Sequence, residues 1–340
     1  MAKNASSKKI VYAALAGNLL VTITKFIAAG WTGSSAMLSE AFHSFVDTSN
    51  QVLLLYGMAQ ANRRPDETHP MGYGRELYFW SFIVALLIFA LGAGGSIIQG
   101  IDHILHPEPI TDPIVNYIVL GCAFVFEGSS WWIAREEFAR SKGRLSYYEA
   151  VRRSKDPPAF LVLFEDSAAL VGLAIALIGT ALAQVLHNPL YDGLASIGIG
   201  VLLGAAGFIL ARETKDLLIG ESASPAVEQS ILAIAEACPE VDGANGLITF
   251  QFGPRQVVVT LSIEFADELT TERIEAKVAR LESLIRETHP EVIAVFVKPQ
   301  TPATFRKARF ERYGLAVYAE TARAAAAGTT QLTAATEAKA

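Results

Sequence analysis

The sequence predicts a polytopic α-helical membrane protein of six transmembrane helices, followed by a small cytoplasmic α+β domain. Three observations carry that expectation. The 340 residues are 51% hydrophobic and 18% charged, with a mean hydropathy of +0.33, whereas soluble domains carry roughly 25% charged residues. Six apolar stretches approach or exceed the about 20 helical residues that a ~30 Å hydrocarbon core requires. Beyond about residue 222 the composition changes to that of a soluble domain. The formal net charge of −6 gives no reason to expect nucleic-acid binding. The two cysteines, Cys122 and Cys238, are far apart and form no CxxC, which excludes a disulfide framework or a cysteine-rich zinc site.

The spans fall at about 9–30, 35–60, 77–101, 113–134, 159–186 and 193–211. Lys3, Lys8 and Lys9 precede an apolar run that continues past Ala28 without a small-residue cleavage site, so a retained first span is expected rather than a signal peptide. That span carries Asn18 and Lys25. Arg63, Arg64 and Arg75 follow the second span, and the loop after the fourth holds Arg135, Arg140, Lys142, Arg144, Arg152, Arg153 and Lys155. The alternate loops, 31–34, 102–112 and 187–192, contain no Lys or Arg. The positive-inside rule therefore places both termini in the cytoplasm of a cell whose inner membrane holds the chain. Trp131 and Trp132 suggest an interfacial aromatic belt.

In the C-terminal part, Pro225 opens a helix that stops before Pro239, and turn residues Gly243 to Asn245 precede the strand GLITFQF. VVVTLSIEF alternates in part with period two. Thr270 or Thr271 can cap a helix whose Ile274, Val278, Leu281 and Ile285 form one apolar stripe. VIAVFVK is the last strand. The order α-β-β-α-β suggests a small antiparallel, ferredoxin-like sheet with helices on one face over 222–300. Residues 301–340 are low in complexity and read as an unstructured tail, with an Ala-rich helix in TARAAAAGTTQLTAATEAKA as the alternative.

The second span contains Glu40, His43 and Asp47 at i, i+3 and i+7, so one helix face carries an imidazole and two carboxylates. An ionisable group at the bilayer centre is destabilising by at least about 2.5–3.5 kcal/mol, so such a face is not expected to meet lipid. Glu165 and Asp166 lie roughly 10–12 Å into the fifth span, and His43 and Asp47 about 13–20 Å from the opposite end of theirs. Both sets reach mid-depth, where a shared divalent cation offsets their charge. Glu127 in the fourth span is also at mid-depth, and Asn50 follows Asp47 by one turn as a helix–helix hydrogen bonder.

The second span reads SAMLSEAFHSFVD and the following loop RPDETHPMGYGRE. Together these resemble the cation diffusion facilitator family, proton-coupled exporters of divalent transition metals, over about residues 9–300. EDSAAL, KDPP and the FEG of the fourth span look like the branch related to vertebrate zinc transporter nine. The resemblance implies one metal site shared by the second and fifth spans, with His43, Asp47 and Asp166 matching three of its four positions. The fourth is Val162, which cannot ligate. Glu165, about 100° round the helix from Asp166, is the candidate replacement. Asp66 and His69 coincide with ligands of a peripheral site in some relatives, where Tyr73 stands in place of a further His. The resemblance also implies a homodimer paired through the cytoplasmic domain, and a charge pair at the dimer interface with Arg75 as its basic member and Asp216 as a candidate partner.

Metal binds the neutral imidazole and the ionised carboxylate, so protons and metal compete for these ligands. The expected function is efflux of Zn²⁺, Mn²⁺, Fe²⁺ or Co²⁺ in exchange for protons, with no resident cofactor and no enzyme activity. The alternatives are a transport-inactive metal sensor or scaffold, an intramembrane metal-dependent enzyme, and a carrier for Na⁺ or another cation.

Overall fold

The computed structural model describes residues 2–107, 113–143 and 145–312. Two compact units divide it: Met1–Glu221 with Gln251–Pro254, and Ser222–Phe250 with Arg255–Ala340.

The first unit is a helical bundle. Its long helices are α1 (Ala2–Thr32), α2 (Ser35–Ala61), α3 (Arg75–Leu87) and α4 (Gly94–Leu105) joined by a π-helical turn at Ile88–Ala93, α5 (Pro113–Lys142), α7 (Pro157–Val185) and α8 (Leu190–Ile219). The short α6 (Tyr147–Arg153) lies between α5 and α7. Among the described residues, four helices are long and apolar enough to cross a membrane: Arg75–Leu105, Ile114–Arg140, Pro157–Val185 and Leu190–Ile219. The sequence led us to expect six. Helices α1 and α2 have the length, 31 and 27 residues, but polar residues including Lys25, Glu40, His43, Asp47 and Asn50 interrupt their apolar runs.

The helix starts follow local chemistry. Asp156 precedes α7, whose first two residues are Pro157 and Pro158, where a missing N–H breaks no helical hydrogen bond. Ser34 caps α2 by accepting from the Met37 N–H. Asp192 reinforces that cap from α8, accepting from the Ser34 hydroxyl (3.0 Å), the Ala36 N–H (3.0 Å) and the Thr180 hydroxyl of α7 (3.4 Å). One fully buried carboxylate thus ties three helix ends together. Helix α4 meets α8 at Gly100 and Gly193, where a Cβ on Gly100 would fall 2.7 Å from the Gly193 carbonyl oxygen.

The bundle turns apolar side chains outward and polar ones inward. Ile27, Ile98, Val125, Ile178 and Phe208 are exposed, whereas Lys25, Glu40, His43, Asp47, Glu127, Glu165 and Asp166 are buried. Water would favour the reverse arrangement, and hydrocarbon favours this one. Of the two tryptophans expected in an interfacial belt, Trp131 donates its indole N–H to Ser167 at 2.9 Å and Trp132 is exposed.

In the second unit, α9 (Pro225–Glu236), β1 (Val241–Gly253), β2 (Gln256–Phe265), α10 (Thr271–Thr288) and β3 (Val292–Pro299) build a three-stranded sheet ordered β1-β2-β3. The expected antiparallel sheet is corrected here, since β3 runs parallel to β2, with Val259 opposite Val295 and Leu261 opposite Val297. A parallel pair needs a crossover of a dozen residues or more, and α10 supplies one. Val259, Leu261 and Ile263 of β2 pack with Ile231 of α9 and with Leu281 and Ile285 of α10. Residues 302–312 are helical where a tail without structure was expected. Thr301 starts that helix, its carbonyl accepting from the Phe305 N–H at 3.0 Å and its hydroxyl from the Thr304 N–H at 3.3 Å. The rest of the tail, 313–340, lies outside the described residues.

Candidate functional site

Every ionisable side chain singled out in the second and fifth spans is buried. On α2, His43 Nε2 lies 3.5 Å from Asp47 Oδ2, one turn away. Neither ring nitrogen of His43 has a hydrogen bond, and neither does Asp47 Oδ1. A buried polar atom without a partner is destabilising by roughly 1–3 kcal/mol, so these lone pairs stand ready for a ligand.

Helix α7 packs on α2 and brings Glu165 and Asp166, each 4% exposed. Asn50 on α2 donates its amide N–H to Glu165 Oε1 at 2.8 Å. Ser130 on α5 donates to Asp166 Oδ2 at 2.8 Å. The two adjacent acids are thereby held by different helices, each through a neutral donor that leaves oxygen lone pairs over. Asn50 Oδ1 and Gln51 Oε1 are buried without partners as well. Val162, one turn before Asp166 on α7, is partly buried. Among the described residues, no three His, Cys, Asp or Glu side chains converge closely enough to grip an ion as they stand.

Glu40 shares its helix face with His43 but is engaged elsewhere. Its Oε2 accepts from the Lys25 ammonium at 3.1 Å, and its Oε1 fits against α7 where Gly172 has no side chain, since a Cβ there would fall 2.5 Å away. The same ammonium donates to Ser44 Oγ at 2.7 Å and lies 3.9 Å from Glu127 Oε1. Ser129, two residues after Glu127, donates to the Phe126 carbonyl.

In the loop after α2, the Asp66 carboxylate organises its own turn. Oδ1 accepts from the backbone N–H groups of Thr68 (3.0 Å) and His69 (2.8 Å), and Oδ2 from the Tyr73 hydroxyl (2.6 Å). The Tyr73 hydrogen bond, then that of His69, holds the Asp66 carboxyl below its ordinary range, and the same contact raises Tyr73. His69 Nδ1 is 3.8 Å from Asp66 Oδ1. The two are neighbours, but both Asp66 oxygens already serve the loop. Asp216 lies 3.2 Å from the Lys215 ammonium within the chain.

Asn50 is the helix–helix hydrogen bonder expected from its place on α2, whereas the roles of Ser130, Gly172 and Lys25 were not foreseen. The available signal was a lysine in the apolar run of a predicted first span, since an intramembrane cation requires a buried anionic partner.

Comparison with known sequences adds to this geometry. The cation efflux transmembrane domain matches residues 11–219. The Xenopus laevis protein named proton-coupled zinc antiporter SLC30A9, mitochondrial, is 38% identical over 266 residues, or 77% of this chain and 47% of its own length. Metal tolerance protein C4 of Arabidopsis thaliana is 31% identical over 81% of this chain and 61% of its own length. The cation-efflux pump FieF of Cronobacter sakazakii is 29% identical over 76% of this chain and 81% of its own length. The chain thus spans about half the length of the SLC30A9 protein.

Proposed function

The chain belongs to the cation efflux family, and we propose that it exports a divalent transition metal, Zn²⁺ or a similar ion such as Mn²⁺, Fe²⁺ or Co²⁺, in exchange for protons. Its family is one of transporters, so the chain is a transporter and not an enzyme. The names of the SLC30A9 relatives, zinc antiporters coupled to protons, support zinc and proton exchange. The observation that carries the reading is the buried His43–Asp47 pair, with its ring nitrogens and Oδ1 unpartnered, beside a helix that brings Glu165 and Asp166 into the same interior.

In this reading His43, Asp47 and Asp166 ligate the ion, and Glu165 replaces the ligand missing at Val162. Glu40 stays outside the ligand set, because Lys25 holds its carboxylate. Asp66 and His69 form at most a peripheral site on the loop. An ion draws the four ligands together, since they do not close on one point by themselves. Protons arriving from the other side compete for the same lone pairs and release it. The six long helices span the membrane, an inner cell membrane with both termini in the cytoplasm. Residues 222–300 pair two copies as a homodimer.

Metal-resolved flux into proteoliposomes across a pH gradient tests this reading, comparing Zn²⁺, Mn²⁺, Fe²⁺ and Co²⁺. His43→Ala and Asp47→Ala abolish flux of the transported ion while the protein still folds. Parental flux through His43→Ala would overturn the assignment.

A further inference from the structure

Lys25 is fully buried in α1 and is not among the ligands of the proposed transport site. Its ammonium donates to Glu40 Oε2 at 3.1 Å and to Ser44 Oγ at 2.7 Å, and lies 3.9 Å from Glu127 Oε1. Oxygens from α2 and α5 therefore surround a positive charge as they would a bound cation, except that this cation is tethered to the chain. Glu40 and Ser44 flank His43 on the same helix, which sets the ammonium beside the His43–Asp47 pair.

We propose that Lys25 is a built-in cation that fills a Glu40–Ser44–Glu127 subsite, holds the adjacent transport site to one divalent ion, and loosens that ion by repulsion. The proposal rests on the ligand assignment made above. Among the described residues six acidic side chains, Glu40, Asp47, Glu127, Glu165, Asp166 and Asp192, are buried in this bundle. Without Lys25, two carboxylates and a hydroxyl are left facing one another, an oxygen set suited to a hard or borderline divalent ion. With Lys25 one of their two negative charges is offset by a charge that cannot leave, and a fixed positive charge weakens a nearby cation strongly in a low-dielectric interior. A carrier gains from this in that its ion is held loosely enough to be released.

Equilibrium binding of Zn²⁺ and Co²⁺ to the full-length purified protein tests the proposal, in an Asp66→Ala/His69→Ala background that removes the loop ligands. The parent binds one ion per chain, lost in His43→Ala. Lys25→Met binds two ions per chain, and Lys25→Met/Glu40→Gln/Glu127→Gln returns to one. Glu40→Gln/Glu127→Gln with Lys25 kept leaves an uncompensated ammonium and weakens the single ion by about tenfold. If Glu40 were instead a ligand, the triple variant would lose its ion. A count of one in Lys25→Met, or a triple variant without its ion, overturns the proposal. Should Lys25→Met not fold, parental affinity in Glu40→Gln/Glu127→Gln does so alone. Binding by the parent that survives His43→Ala overturns the transport-site assignment instead.

Discussion

Asn50 stands one turn beyond Asp47, and its amide is the hydrogen-bond donor to Glu165 Oε1. A hydrogen bond to a charged group contributes about 1.5–3 kcal/mol, enough to decide where a buried carboxylate points. Asn50→Leu keeps the volume and removes the donor, so Glu165 loses its fixed orientation. The expected outcome is Zn²⁺ binding weaker by roughly tenfold, with the Ser130–Asp166 contact intact. Calorimetric titration of purified protein measures it, and parental affinity would show that Glu165 needs no help from Asn50. At this scale the sequence was informative about faces and silent about partners. The spacing of Glu40, His43 and Asp47 placed three groups on one side of α2, because helical period depends on sequence position alone. Which of them meets α1 and which meets α7 depends on the rotation of α2 against its neighbours. That rotation delivered Glu40 to Lys25 and kept His43 away from any hydrogen-bonding partner.

The elements were legible where their signals are local. Pro157 and Pro158 at the start of α7 and Ser224 before Pro225 of α9 are start signals visible in the chain. The direction of β3 was not, because a strand of given composition pairs either way and the long connection through α10 permits both. Helix 302–312 was also missed, its Thr301 start signal overshadowed by the Ala-rich segment that follows. Asp192 acts on elements well separated in sequence, since it caps α2 from α8 and receives Thr180 of α7. Asp192→Ala strips the Ser34 hydroxyl and the Ala36 N–H of their acceptor. Loss of such a cap is destabilising by about 1–2 kcal/mol, and the orphaned donors are buried. A lower midpoint of thermal unfolding in detergent, with metal affinity kept once folded, is the expected result. An unchanged midpoint would mean that α2 holds its start through Ser34 alone.

Across the whole molecule, a core that buries carboxylates, an imidazole and an ammonium inside an apolar exterior carries a desolvation cost that a bound cation would offset, and the proposed function supplies that cation. Metal should therefore act as a stabiliser of the entire bundle. A ligand that binds only the folded state adds RT ln(1 + [L]/Kd), about 2.7 kcal/mol at a hundredfold excess over Kd. Zn²⁺ is expected to raise the thermal midpoint of the parent protein, and the increase should shrink as pH falls. The sign follows from competition: the ligands bind metal only when deprotonated, so added protons remove the metal's advantage. His43→Ala should abolish the increase at every pH, while Glu40→Gln, which disturbs Lys25 rather than a ligand, should diminish it without removing it. Differential scanning fluorimetry over pH 5 to 8, with and without metal, reads all three. A pH-independent increase that persists in His43→Ala would place the stabilising ion somewhere other than the interior of the bundle.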